Sequence, residues 1–174
     1  TSLIVFGALN PSLEDEEINA ETKSSETEQV ILRAQAWIKK IKDMTKPSKD
    51  RPRRILLMAA MTNGKTIVAC RMVKKQPPPE LFEEKQQLLR FVSLIPVEND
   101  AAVFETQNQM WCTSAEFLEV NCGDDEEHAL LLCNYFKFIG LDAYVLLGYD
   151  YINGKTAYVA TKEANRVTLY DPMG

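Results

Sequence analysis

The chain has 174 residues, 45% hydrophobic and 26% charged, with a net charge of −5. That composition excludes a wholly disordered chain, and apolar runs such as 129–133 and 143–147 fall far short of the roughly 20 residues a membrane span needs. The charge is unevenly spread: residues 1–30 carry seven acids and one base, 31–75 thirteen bases and two acids, and 76–174 sixteen acids and six bases.

In chain order, residues 3–6 read as a short buried strand, and 10–28, rich in Glu, Ser, Thr and Asn, as a flexible acidic loop. Val30, Ile31, Ala34, Trp37, Ile38 and Ile41 recur at helical spacing and predict an amphipathic helix over 28–43. Residues 46–54, with Pro47 and Pro52, form a basic break. Residues 55–61 and 66–72 flank Asn63-Gly64, the dipeptide that favours a type I′ hairpin turn. The plain reading of the basic stretch 31–75 is a solvated surface and linker; the functional one is a patch for an acidic partner or anionic lipid. No aromatic platform is interleaved with its bases, so nucleic acid is not expected.

Prolines 77–79 close this half, and the change of charge sign near position 76 coincides with them. Residues 80–92 have helical periodicity, followed by a polar loop to about Gln109. Thr113 and Glu116 form a capping box that opens a short helix. Asp124 begins another, with Asp125, Glu126 and Glu127 in the first turn, where the helix dipole favours negative charge. Its apolar stripe is Ala129, Leu132, Cys133 and Phe136, and Gly140 is the stop. Three strands end the chain, over 143–149, 157–161 and 166–170.

The four cysteines, Cys70, Cys112, Cys122 and Cys133, match no zinc-ligand spacing, and there is one histidine, His128. No metal or cofactor is expected. Cys70 and Cys133 lie in apolar patterns and read as small buried hydrophobes. No basic segment precedes an apolar run at the start, so the expected compartment is reducing.

A helix whose first turn faces an antiparallel sheet is how one large group of cysteine enzymes builds its site. The nucleophilic Cys sits at the helix start, where its pKa is lowered, a His on the second strand takes the proton, and an Asp after the third orients that His. Here the chain resembles the transglutaminase-like superfamily, whose landmarks read G-x-C-x-x-x-A, H-A-W-V and D-P. Gly123, Asp124 and Asp125 cover the first three positions, with Ala129 as the alanine. Thr156, Ala157, Tyr158 and Val159 cover the second motif, and Asp171 and Pro172 the third. Asp125 stands where the thiol belongs and Thr156 where the imidazole belongs. A carboxylate is a poor nucleophile toward an amide, and a neutral hydroxyl is no general base near pH 7. Cys122 and His128 are not placed to substitute: one precedes the helix and the other rides on it.

The stretches 90–96, 111–114, 123–136 and 156–159 narrow the resemblance to the degenerate transglutaminase-like domains of coiled-coil and C2 domain proteins of the ciliary transition zone and of related centrosomal and axonemal proteins. This implies an α+β, papain/transglutaminase-like fold over residues 79–174, cut short at its C-terminus, with 1–78 as an upstream segment that would suit the end of a C2-like region. It also implies a non-catalytic scaffold at the cytoplasmic side of the ciliary base, with other transition-zone scaffold proteins as partners. Trp111, Asp125, Thr156, Tyr158 and Asp171 are the candidate lining of a retained groove for an extended basic peptide. The other expectations weighed against it are a calcium- or lipid-dependent binding module, with membrane contact through the basic segment or only indirect, and a cryptic cysteine hydrolase or acyltransferase using Cys122.

Overall fold

Asp124 and Gly140 bracket the helix on which the other elements pack. A computed structural model describes residues 4–6, 26–44, 58–80, 82, 84–99, 102, 110–150 and 154–174. Its elements are β1 (Ile4–Phe6), α1 (Glu28–Met44), β2 (Met58–Ala60), β3 (Thr66–Val68), a 3₁₀ turn (Ala69–Met72), α2 (Lys85–Ser93), α3 (Ser114–Val120), α4 (Asp125–Phe138), β4 (Asp142–Asp150), β5 (Gly154–Glu163) and β6 (Arg166–Tyr170). The chain is α+β with antiparallel sheets.

Helix α4 starts with the Asp124 carboxylate accepting from the Glu126 amide at 3.0 Å, and the Glu127 carboxylate accepting from the Asp124 amide at 3.2 Å. It ends in a Schellman motif: Gly140, at φ +86°, donates to Lys137 O, and Leu141 N–H reaches back to Phe136 O at 2.9 Å. Only one stripe was expected to be buried, yet every residue from Glu127 to Phe136 is buried. The reason is packing on several sides. β4 and β5 cover one face, while α2 and α3 flank it.

The four-stranded sheet runs β1-β4-β5-β6, antiparallel throughout. Ala143 and Val145 on β4, and Ala157 and Val159 on β5, alternate into the core beneath α4, which is the period of two expected of strands with one buried face. Strand β1 pairs with β4, Ile4 opposite Leu147. Ala59, Met61, Ile67, Met72 and Val73 also join the cluster that holds Leu88, Trp111 and Phe136. The change in charge near position 76 is therefore not a boundary of packing.

In the β2–β3 hairpin the Asn63-Gly64 turn differs from expectation. A type I′ turn needs positive φ at both central residues, but only Gly64 has it, at +75°. Gly64 N–H bonds Met61 O, and Met61 N–H bonds Lys65 O, so the loop has three residues with Gly64 in the left-handed position. Strand pairing also stops at Val68 rather than running to Met72: the chain winds into the 3₁₀ turn, which carries Met72 and Val73 into the main core. Helix α2 begins at Lys85 instead of residue 80, because Glu84 and Gln87 supply its capping box. Helix α1 is found where predicted and buries Val30 and Ala34 against Val68. The acidic loop before Glu26 and the basic break at 46–54 lie outside the described residues.

Candidate functional site

Three local rules set the site's framework. Thr113 caps α3, its Oγ1 accepting from Glu116 N at 3.3 Å while Glu116 Oε2 accepts from Thr113 N at 2.8 Å. Gly123 fills the link to α4 because nothing larger fits: a Cβ there would lie 2.8 Å from the Phe117 ring. Its amide and carbonyl are tied to Pro96 O and Glu98 N, fixing the approach to the helix. Ala129, one turn on, has no exposed surface.

On this framework Asp125, in the first turn of α4, accepts a hydrogen bond from the Thr156 hydroxyl on β5, with Asp171 close enough for its charge to act on Asp125. The three positions singled out by sequence thus meet at one place, contributed by a helix start, the middle strand and the residue after β6. Asp125 and Thr156 are half-buried; Asp171 is exposed, with Oδ1 accepting from Met173 N at 3.0 Å.

Burial pushes the Asp125 carboxyl above the usual carboxylate value, and the Asp124 charge adds to this; the Thr156 hydrogen bond and His128 act in the opposite sense, and Asp171 raises it again. A raised folded-state value means that the folded protein holds this proton more tightly than the unfolded chain. Its contribution to stability is thus fully present below the ordinary carboxylate value and is lost as pH rises through the folded value. Asp125→Asn is expected to stabilise the protein at pH 7 but not at pH 3. Because the group is partly exposed and screened, the gain should be under about 1 kcal/mol. Urea unfolding at the two pH values checks this, and an equal gain at both would contradict it.

One site expectation is corrected. Trp111 does not line an open groove: it is 6% exposed, within the main core, and its amide donates to Ala60 O at 2.7 Å, which joins α3's entry to the hairpin. His128 rides on α4, as expected, and is buried there. It has no exposed surface, its Nδ1 sits 2.7 Å from Asp124 O and its Nε2 3.0 Å from Ile95 O, and its ring meets Phe117 edge-on. Each ring nitrogen lies within hydrogen-bond distance of a backbone carbonyl, and the ring has no surface open to solvent. Tyr158 is half-buried opposite Leu146. Cys122 lies in the link between α3 and α4, half-buried, as expected. Cys133 is buried and its thiol is pushed up to about 12, whereas Cys70 is only half-buried. Among the described residues no three His, Cys, Asp or Glu side chains gather to hold a metal ion.

Sequence reasoning missed two polar residues that hold the framework. Glu127 is 3% exposed, and its Oε1 also accepts from Cys112 N at 3.2 Å, tying the segment before α3 to the start of α4. Asn134, wholly buried, reaches Lys74 N, Met72 O and Ser114 Oγ at once. The signal for the first was the spacing of Asp124 and Glu127, a capping box in its own right. For the second it was an asparagine inside an otherwise apolar helical run.

A helix start abutting an antiparallel sheet, with Gly123, Ala129 and Asp171-Pro172 in place, is compatible with the transglutaminase-like resemblance of the sequence. Residues 109–174 match the family model of the CEP76 peptidase-like domain. Human Protein CC2D2B is 32% identical to it, over 99% of this chain and 12% of its own length. Centrosomal protein of 76 kDa from Danio rerio is 33% identical over 80% of this chain and 21% of its own, and the human protein of that name 31% over 84% and 23%. The chain thus spans less than a quarter of each of these relatives. No solved structure matches it.

Proposed function

We propose that this chain is part of a non-catalytic scaffold protein of the centrosome and ciliary base, in which a degenerate transglutaminase-like site with papain-like arrangement serves as a docking groove. The observation that carries this reading is the meeting of Asp125, Thr156 and Asp171. They occupy the places of nucleophile, base and orienting carboxylate, with neither a thiol nor an imidazole among them. The buried, carbonyl-bound His128 supplies no substitute base. The relatives named for the centrosome, together with the resemblance to transition-zone proteins, support the cellular setting.

With Asp124, Glu126 and Glu127 near Asp125, the site is acidic and favours an extended segment bearing Lys or Arg. Other transition-zone scaffold proteins are the proposed source of such a segment. The test uses fluorescent 12-residue peptides of otherwise equal sequence, lysine-bearing or glutamate-bearing, titrated over a salt series against wild type and Asp125→Asn/Asp171→Asn. Wild type should prefer the lysine peptide, with affinity falling as salt rises, and the double variant should lose both preference and slope. Unchanged affinity and slope in the variant would move binding to another surface. Asp125→Cys/Thr156→His tests the assignment of positions independently: its new thiol should outpace the four native cysteines toward iodoacetamide at pH 7.

A further inference from the structure

The segment that follows α2 is tied to the candidate site at both of its ends. Gly123 N–H donates to Pro96 O at 3.3 Å and Glu98 N–H to Gly123 O at 2.9 Å, so Val97 pairs in parallel with Gly123, two residues before Asp125. His128 Nε2, 3.0 Å from Ile95 O, holds the same segment against α4. At the other end a Cβ on Gly174 would lie 3.5 Å from the Ser93 side chain, so the turn that opens with Asp171 comes back beside Leu94. Residues 94–98 thus adjoin the site through Asp125 and through Asp171.

This rim is apolar and open to solvent. Leu94 is 62% exposed, Val97 54%, and Val120, which ends α3 three residues before Gly123, 43%. Ile95, between the first two, is buried and anchors the segment. Single exposed apolar side chains are ordinary; several grouped at the border of a polar site mark a contact surface. In a parallel pair the residue opposite its partner turns its own amide and carbonyl the other way. Val97 therefore directs both groups away from Gly123, and neither takes a hydrogen bond among the described residues. An extended chain laid along Val97 would satisfy them and set alternate side chains on the rim.

The surrounding charge selects the partner. Residues 91–136 hold nine acids and neither Lys nor Arg, and Glu98 and Glu119 are exposed on the segments that carry Val97 and Val120. A surface of this sign repels acidic peptides and anionic lipid and attracts Lys or Arg. We infer that Leu94, Val97 and Val120 form the apolar half of the docking site, which takes an extended segment with aliphatic side chains at alternate positions beside its Lys or Arg. This rests on the groove reading for the place of the basic residue, and adds the apolar part of the partner's sequence.

The experiment is fluorescence polarisation of the whole chain with 12-residue peptides that share a central lysine and carry either leucine or serine at the alternate positions around it. Wild type should bind the leucine peptide about ten-fold or more tightly than the serine peptide. Leu94→Ser/Val97→Ser should lose that difference and still prefer lysine to glutamate. Both side chains are exposed, and circular dichroism confirms that the variant is folded; the comparison of peptides on wild type needs no variant. Equal affinity of wild type for the two peptides, or binding of neither, overturns the inference, while the salt dependence and Asp125→Asn/Asp171→Asn still judge the groove. A leucine preference that survives Leu94→Ser/Val97→Ser overturns it too, moving the apolar contact elsewhere. A preference lost in that variant but kept in Asp125→Asn/Asp171→Asn upholds the rim even where the groove reading fails. Sedimentation velocity covers the remaining occupant: a dimer of wild type that Leu94→Ser/Val97→Ser abolishes would make a second copy the partner and overturn the inference.

Discussion

Arg71→Ala is expected to lower the unfolding free energy by about 3–5 kcal/mol, because it leaves the Glu26 carboxylate buried without its countercharge. The side chains of Arg71 and Glu26 are 5% and 4% exposed, so water cannot replace the lost partner. The same carboxylate also accepts from the Val68 amide, at the end of β3, so the loss reaches the hairpin as well as α1. Substituting both groups by apolar ones, as in Glu26→Leu/Arg71→Met, should recover much of the loss, since no unpaired charge then remains. The Val68 amide stays unsatisfied, however, so recovery should fall short of wild type by about 1–3 kcal/mol. Urea denaturation of the two variants and wild type measures this. A single variant within 1 kcal/mol of wild type would show that the pair does not anchor α1.

Why was the pair not legible in the sequence? Glu26 falls at the end of a run of Glu, Ser and Thr that has every mark of a solvated loop, and Arg71 within a stretch that alternates like a strand. Forty-five positions separate them, and no local rule links residues so far apart. What was legible is local: the Thr113–Glu116 box, the Asp124 start and Gly140 stop of α4, the span of α1 and the last three strands. The caps and the helix span depend on backbone groups satisfied within a few residues, and the last three strands pair with neighbours next to them in the chain. The failures share the opposite property. The shortened hairpin strand and the all-round burial of α4 are set by what packs from elsewhere in the chain.

The candidate site divides along the same line. Asp125, Thr156 and Asp171 were placed together because a family pattern carries long-range geometry that periodicity alone does not. Trp111 and His128 had no such guide. An aromatic before a helix and a histidine on one are each compatible with a cleft, but the backbone partners that bury them, Ala60 and Ile95, lie 51 and 33 positions away in sequence. The framework beneath the site is polar as well as apolar. Glu127 holds the entry to α3 against the start of α4, so the position of Asp125 depends on a carboxylate two residues further on.

Asn134 does the corresponding work at the middle of α4, and its replacement should have an effect of similar size to that of Arg71. Its Oδ1 accepts from Lys74 N at 2.8 Å, and its Nδ2 donates to Met72 O at 3.2 Å and Ser114 Oγ at 2.8 Å. One amide group thereby joins the chain leaving the 3₁₀ turn, the first turn of α3, and α4. Asn134→Leu keeps the volume but leaves an amide, a carbonyl and a hydroxyl without this partner, each costing about 1–3 kcal/mol where it stays dry. A loss of about 3–5 kcal/mol is expected, with relaxation and water entry recovering the remainder. Asn134→Asp separates the contributions: its carboxylate still accepts from Lys74 N and from the Ser114 hydroxyl, but faces Met72 O with no proton to donate. At neutral pH it also buries a charge, so it should be at least as damaging as Asn134→Leu. Lowering the pH should restore part of its stability, because a protonated acid can donate to Met72 O. Thermal melts of both variants at pH 7 and pH 4 test this. A stability of Asn134→Asp that does not rise on acidification, relative to wild type, would mean that the bond to Met72 O does not hold the 3₁₀ turn against α4.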